Sequence, residues 1–246
     1  MSKLSEHIRR AARSVPAPFG FGAAMAPAKA PSMLIVVRLA ANESAKAAEA
    51  AKAGADVVID AGDPARLKAD GVILGAALEK TDRNAATAAR EAGIDFLLLD
   101  PATALAEAML DQKLGYVLQL NEPLDDTRTR LLGDLNLDAI IVPSPKAPVT
   151  LAQLLELRRV AGLARTPLLV QADAGIDASL LQVLRDSGAA GIVVDASAIG
   201  KLSELKERIA GLPAAGRRHE ERAEVTVSAN AVAGHGDDGF DDDDDE

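Results

Sequence analysis

The sequence predicts a compact (βα)8 barrel, a TIM barrel of parallel strands ringed by helices, set between an N-terminal extension and a disordered acidic C-terminal tail. Three observations point there. Between Ser32 and Leu212, short apolar runs rich in β-branched residues recur eight times, alternating with alanine-rich helical stretches. The runs are apolar throughout, as parallel strands covered by an outer helix layer must be. A repeat of roughly 22 residues fits eight units into a segment near the lower size limit of the barrel. An open doubly wound sheet usually stops at about five or six parallel strands.

Residues 1–31 make the extension. Lys3 to Val15 places Leu4, Ile8, Ala11 and Ala12 on one helical face with Arg9, Arg10 and Arg13 elsewhere. This predicts a basic amphipathic helix that caps the end of the body; contact with a membrane surface is the alternative, for which the apolar face is small. Pro16, Pro18, Pro27 and Pro31 then make a linker. Within the barrel, residues 32–212, the strand candidates are Met33 to Leu39, Asp56 to Ile59, Gly71 to Leu74 and Phe96 to Leu99. They continue with Tyr116 to Leu120, Ala139 to Val142, Leu168 to Val170 and Gly191 to Val194. Gly54, Gly93 and Gly188 stand where helices should stop. Asn42 with Glu43, Asp63-Pro64, Thr81-Asp82, Asp125-Asp126, Thr150 and Asp177 supply helix starts. Residues 213–246 lose the periodicity and end in Asp241 to Asp245 and Glu246, a run that repels itself and buries nothing.

Charge and composition exclude several partners. The 27 Lys and Arg against 37 Asp and Glu give a net charge of -10, and aromatic residues are 2% with no Trp. No nucleic acid partner is expected, because neither a polyanion-binding surface nor a stacking platform is supplied. No apolar window reaches the length of a transmembrane segment, and no long apolar stretch opens the chain as a secretory signal would, so a cytoplasmic protein is expected. With no cysteine there are no disulfides and no thiolate chemistry. Contacts to a second copy or a protein partner would run through the charged termini.

In such a barrel chemistry sits where the strands end. The residues there are Arg38, Asp60, Asp100, Gln119 with Asn121 and Glu122, Ser144, Gln171 with Asp173, and Asp195. Arg38, Asp60, Asp100, Gln171, Asp173 and Asp195 are expected to converge at one mouth. Oxygen-rich sets of this kind hold hard cations, so Asp60, Asp100, Asp173 and Asp195 form a candidate magnesium set. A competing role exists for these residues: Arg38 neutralises acids in a buried network, while Asp60 and Asp100 cap the helices that follow. His7, His219 and His235 all lie outside the barrel segment. Proton transfer therefore falls to carboxylates, with Asp60, Asp100, Glu122 and Asp173 as the catalytic candidates and Glu122 as the chosen general base.

Two turns carry a family resemblance. Pro167 to Ile176, reading PLLVQADAGI, and Ala190 to Ile199, reading AGIVVDASAI, resemble the strand-seven and strand-eight turns of the phosphate-binding (βα)8 barrels. That resemblance implies a phosphoryl group held by the backbone N–H groups of Gly175, Ile176, Ser197 and Ala198. Arg38 and Gln171 at the same mouth complete the expected phosphate-binding set. It also implies flavin mononucleotide as a cofactor class, since many members use flavin phosphates. The departure is Asp195, which sets a negative charge beside the expected phosphate, at a repulsion of ~1 kcal/mol per charge pair in water and several times that near a surface. The expected function is a lyase or isomerase acting on a phosphorylated small metabolite through carboxylate chemistry. The alternative is a non-catalytic barrel that serves as a scaffold or interaction module.

Overall fold

The computed structural model describes residues 2–12, 32–146 and 148–213. Eight parallel strands close in chain order. They are β1 (Leu34–Leu39), β2 (Val57–Asp60), β3 (Ile73–Ala77), β4 (Phe96–Leu99), β5 (Gly115–Gln119), β6 (Ala139–Val142), β7 (Leu168–Gln171) and β8 (Ala189–Asp195). Closure is made by β1 lying beside β8, from Leu34 opposite Gly191 to Arg38 opposite Asp195. The expected linker from Pro16 to Pro31 and the expected acidic tail beyond Pro213 lie outside the described residues.

The helices are α1 (Lys3–Ala12), α2 (Ala47–Ala53), α3 (Arg83–Glu91), α4 (Asp126–Leu132), α5 (Leu151–Ala164), α6 (Ala178–Asp186) and α7 (Leu202–Ala210). Asp82, Asp125, Thr150 and Asp177 each cap a helix by accepting a backbone N–H through the side chain, as the sequence predicts. Two units depart from the expected pattern. After β2 and β4 the chain makes only 3₁₀ turns, Pro64–Arg66 and Ala106–Leu110. The link from β2 to β3 is close to the shortest that a parallel crossover allows, and a full helix does not fit within it. The third strand also runs later than expected, because Gly71 has a φ of 78° and belongs to a turn, while the small residues Gly75 to Ala77 carry little strand signal of their own.

The fold has two apolar layers. Side chains that alternate inward, among them Val36, Ile59, Phe96, Val117, Ile141 and Leu169, fill the barrel interior. Their outward neighbours, such as Val37, Val58, Leu97, Ile140 and Val170, pack under the helices. Gly75 is part of the interior design: a Cβ there would lie 2.2 Å from Cζ of Phe96, whose ring takes that space.

Helix α1 closes the N-terminal end of the barrel. Leu4 and Ile8, 0% and 3% exposed, join the interior cluster. Backbone N–H groups of Lys3 and Leu4 donate to the two carboxylate oxygens of Asp95, each at 3.0 Å, and Ser2 Oγ donates to Asp138 Oδ2 at 2.6 Å. Asp95 and Asp138 immediately precede β4 and β6, so both hold the helix from the barrel floor. Burial pushes the Asp138 carboxyl upward, against the Ser2 hydrogen bond. Gly115 makes the approach feasible, since a Cβ there would sit 2.1 Å from Asp138 Oδ2 and 2.7 Å from Ser2 Cβ.

Candidate active site at the strand ends

Arg38 ends the inward series Leu34, Val36, Arg38 on β1, and its cross-strand neighbour on β8 is Asp195. The two line a cavity of about 440 Å³ with Ser144, Gln171, Ala172, Asp173 and Val193. Four of the six residues expected to converge, Arg38, Gln171, Asp173 and Asp195, are thus together. Register alignment does not pair Arg38 with Asp195: among the described residues Arg38 takes part in no ion pair. Asp195 directly precedes the 3₁₀ segment Ala196–Lys201, without capping it through its side chain. The mouth therefore brings Arg38, in no ion pair among the described residues, together with two carboxylates, the Gln171 amide and the Ser144 hydroxyl.

The strand-seven turn is built differently from the expected phosphate cradle. The Gly175 N–H donates to Asp173 Oδ1 at 2.6 Å, and the Ile176 N–H donates to the Asp173 carbonyl at 3.1 Å. Two of the four expected anion donors are thus already taken within the turn, one by a side-chain carboxylate and one by a carbonyl. Arg208 on α7 holds this loop from behind, donating to the Ala174 carbonyl at 2.8 Å and to the Ile176 carbonyl. Ser197 and Ala198 fall inside the 3₁₀ segment after β8. Sequence reasoning did not find Arg208, because an arginine in the last turn of a surface helix looks like ordinary solvated charge.

Three expected residues stand elsewhere. Asp60 follows inward-facing Ile59 and so points out of the barrel, where it is 1% exposed. Its Oδ2 accepts from Ser44 Oγ at 2.8 Å, and its buried Oδ1 has no hydrogen-bond partner among the described residues. Burial raises its carboxyl above the usual range, with the Ser44 bond opposing. Asp100 accepts from the Ala102 N–H at 2.8 Å and from Asn121 Nδ2 at 3.3 Å, and Asn121 in turn accepts from Gln119 Nε2 at 3.0 Å. That chain ties β4 to β5 on the opposite side of the mouth, and Asp100 does not line the cavity that holds Arg38. Glu122 lies in a second cavity, outside the mouth. The expected magnesium set of Asp60, Asp100, Asp173 and Asp195 is therefore dispersed. Among the described residues no three His, Cys, Asp or Glu side chains are grouped to hold a metal ion.

The second cavity, of about 430 Å³, lies between the loops after β5 and β6 and helices α4 and α5. Leu120, Pro123, Leu124, Val142, Leu157 and Val160 give it an apolar lining, and Ser144 lines both cavities. Its wall is braced by Arg159, which donates to the Leu124 carbonyl at 2.9 Å, to Glu156 at 2.7 Å and to Asp126 at 2.5 Å. The Arg159 hydrogen bond holds the Glu156 carboxyl below its usual range.

A closed eight-stranded parallel barrel with a polar cavity at its strand ends defines a TIM-barrel fold, with the candidate site on the C-terminal face of the sheet. No family model and no curated protein sequence matches this chain. Solved structures do. Thiamine phosphate pyrophosphorylase from Pyrococcus furiosus superposes with a TM-score of 0.56 at 14% identity, covering 73% of this chain and 96% of its own. KGPDC from Streptococcus mutans gives 0.56 at 13% identity, covering 72% and 97%. Orotidine 5'-phosphate decarboxylase from Pyrococcus horikoshii OT3 gives 0.56 at 16% identity, covering 72% and 100%. At these identities the likeness is one of fold alone. Among the described residues no helix is long and apolar enough to cross a membrane.

Proposed function

We propose that the barrel binds a phosphorylated small metabolite at its C-terminal mouth and acts on it as a lyase or isomerase through carboxylate acid–base chemistry. The observation that carries this reading is Arg38, an inward-facing residue lining a 440 Å³ cavity and, among the described residues, in no ion pair. Arginine presents a planar donor fork that matches a phosphoryl group in two parallel hydrogen bonds. Since Asp173 already occupies the Gly175 N–H, the side chain of Arg38 replaces the backbone cradle as the main anion contact. Two carboxylates in the same cavity disfavour a bare anion, so the substrate offers hydroxyl or amine hydrogens on the side away from the phosphoryl group. Asp195 takes the proton that moves, Gln171 orients the reacting part, and Asp173 both shapes the turn and supplies its remaining carboxylate oxygen.

The test is calorimetric titration of the full chain with sugar phosphates, thiamine phosphate and flavin mononucleotide, each beside its dephosphorylated counterpart. Phosphorylated compounds should bind in preference, and Arg38→Gln should weaken them at least about tenfold, the loss expected when one charge-assisted pair is removed. Equal binding of the dephosphorylated compounds, or an unchanged affinity in Arg38→Gln, overturns the reading.

A second reading has its own observation. Leu131, Leu135, Leu151 and Leu155 on and after α4 and on α5 are 44% to 71% exposed, more large apolar surface than a solvent-facing helix pair needs. It favours a scaffold that docks a protein partner or a second copy. Sedimentation velocity of the parent against Leu151→Lys/Leu155→Lys reads it directly; a monomer in both removes self-association.

A further inference from the structure

We infer that the substrate is an amphiphile: its anionic head sits on Arg38 in the mouth, and an apolar chain crosses Ser144 into the cavity between α4 and α5. This rests on the phosphate reading above and specifies the rest of the molecule. The two cavities have opposite character and a shared residue. The mouth is lined by Arg38, Gln171 and two carboxylates, while the neighbouring cavity is walled by Leu120, Leu124, Val142, Leu157 and Val160. Ser144, exposed on the loop after β6, lines both, so the two cavities adjoin at this loop.

The apolar cavity is already built. Val142, Leu157 and Val160 are 5% to 8% exposed and belong to the outer core, so they hold their positions with nothing bound. The Leu124 loop is fixed to α4 and α5 by Arg159 through four hydrogen bonds, one to Leu124, one to Asp126 and two to Glu156. A preformed apolar cavity takes up a chain without the entropy cost of ordering its own walls. Its volume of about 430 Å³ is within the range of small-molecule sites. A free hydrocarbon would have no reason to prefer this site to another apolar surface. A chain tethered to an anion on Arg38 is delivered to it at high effective concentration.

The experiment is isothermal titration calorimetry of the full chain with methyl, butyl and octyl phosphate, all below their micelle concentrations. Affinity should rise with chain length, by up to about fourfold per fully buried methylene, leaving octyl at least ~100-fold tighter than methyl phosphate. Val160→Phe fills the cavity from the helix side and Leu124→Trp fills it from the loop. In whichever variant keeps its circular dichroism spectrum, the octyl and methyl affinities should converge. Equal affinities of methyl and octyl phosphate in the parent overturn the inference and leave the phosphate reading intact. A chain-length gain that persists in the filled variants overturns it as well, as does octyl phosphate binding that is undiminished in Arg38→Gln. Failure of all three esters to bind overturns the phosphate reading itself, and this inference with it.

Discussion

Asp60 holds one carboxylate oxygen on Ser44 and buries the other with no hydrogen-bond partner among the described residues, and its carboxyl is raised above the usual range by burial. A raised carboxyl favours the protonated folded state. Its contribution to stability is complete below the unfolded-state pKa and is lost as pH rises through the folded-state value. Asp60→Asn keeps an acceptor for Ser44 and removes the charge. Urea unfolding should therefore find it more stable than the parent by about 1 kcal/mol at pH 7, with the advantage vanishing as the medium is acidified below the ordinary aspartate range. A variant less stable at pH 7, or an advantage independent of pH, would contradict the burial account. Asp60 also shows how a strand-end list misleads. Position at the end of a strand was legible, but alternation from Ile59 turns the side chain outward, whereas Arg38, Gln171 and Asp195 fall on the inward phase.

At the scale of elements, α1 shows what a pattern reveals and what it leaves out. The spacing of Leu4 and Ile8 predicts an amphipathic helix that caps the body, and the helix does so. Its anchors are not visible in that pattern. Asp95 accepts from two backbone N–H groups that begin the helix, yet in sequence it is simply the acid before the fourth strand. Asp95→Ala should cost about 1 kcal/mol, the usual value of a lost N-terminal cap, and should speed amide exchange in the first turn of α1 while strand amides stay protected. Unchanged exchange at Lys3 and Leu4 would mean that the apolar face alone holds the helix. The same limit applies to the strand-seven turn: its glycine was legible, but the Asp173 side chain that occupies the Gly175 N–H, and Arg208 behind the loop, come from contacts that spacing does not encode.

Over the whole molecule the barrel depends on interior volumes that match across strands. Gly75 faces Phe96 from the adjacent strand, and the ring fills the space a side chain would use. Gly75→Ala should destabilise by about 1–3 kcal/mol through overpacking, and Phe96→Leu in the same chain should recover part of that loss. A double-mutant cycle by guanidinium unfolding reads the coupling; strictly additive effects would show that the two residues do not share one space. The sequence by itself determined the number of strands, most of their positions, the helix caps and the closure of the sheet. These follow from hydrophobic periodicity and local hydrogen bonding, which neighbouring residues impose on one another. Only the tertiary structure decided which strand-end acids face the mouth, that Asp60 and Asp100 stand apart from Asp173 and Asp195, and that a second, apolar cavity shares Ser144 with the first. Those outcomes depend on which way each side chain points once the barrel has closed, and on contacts between residues far apart in the chain.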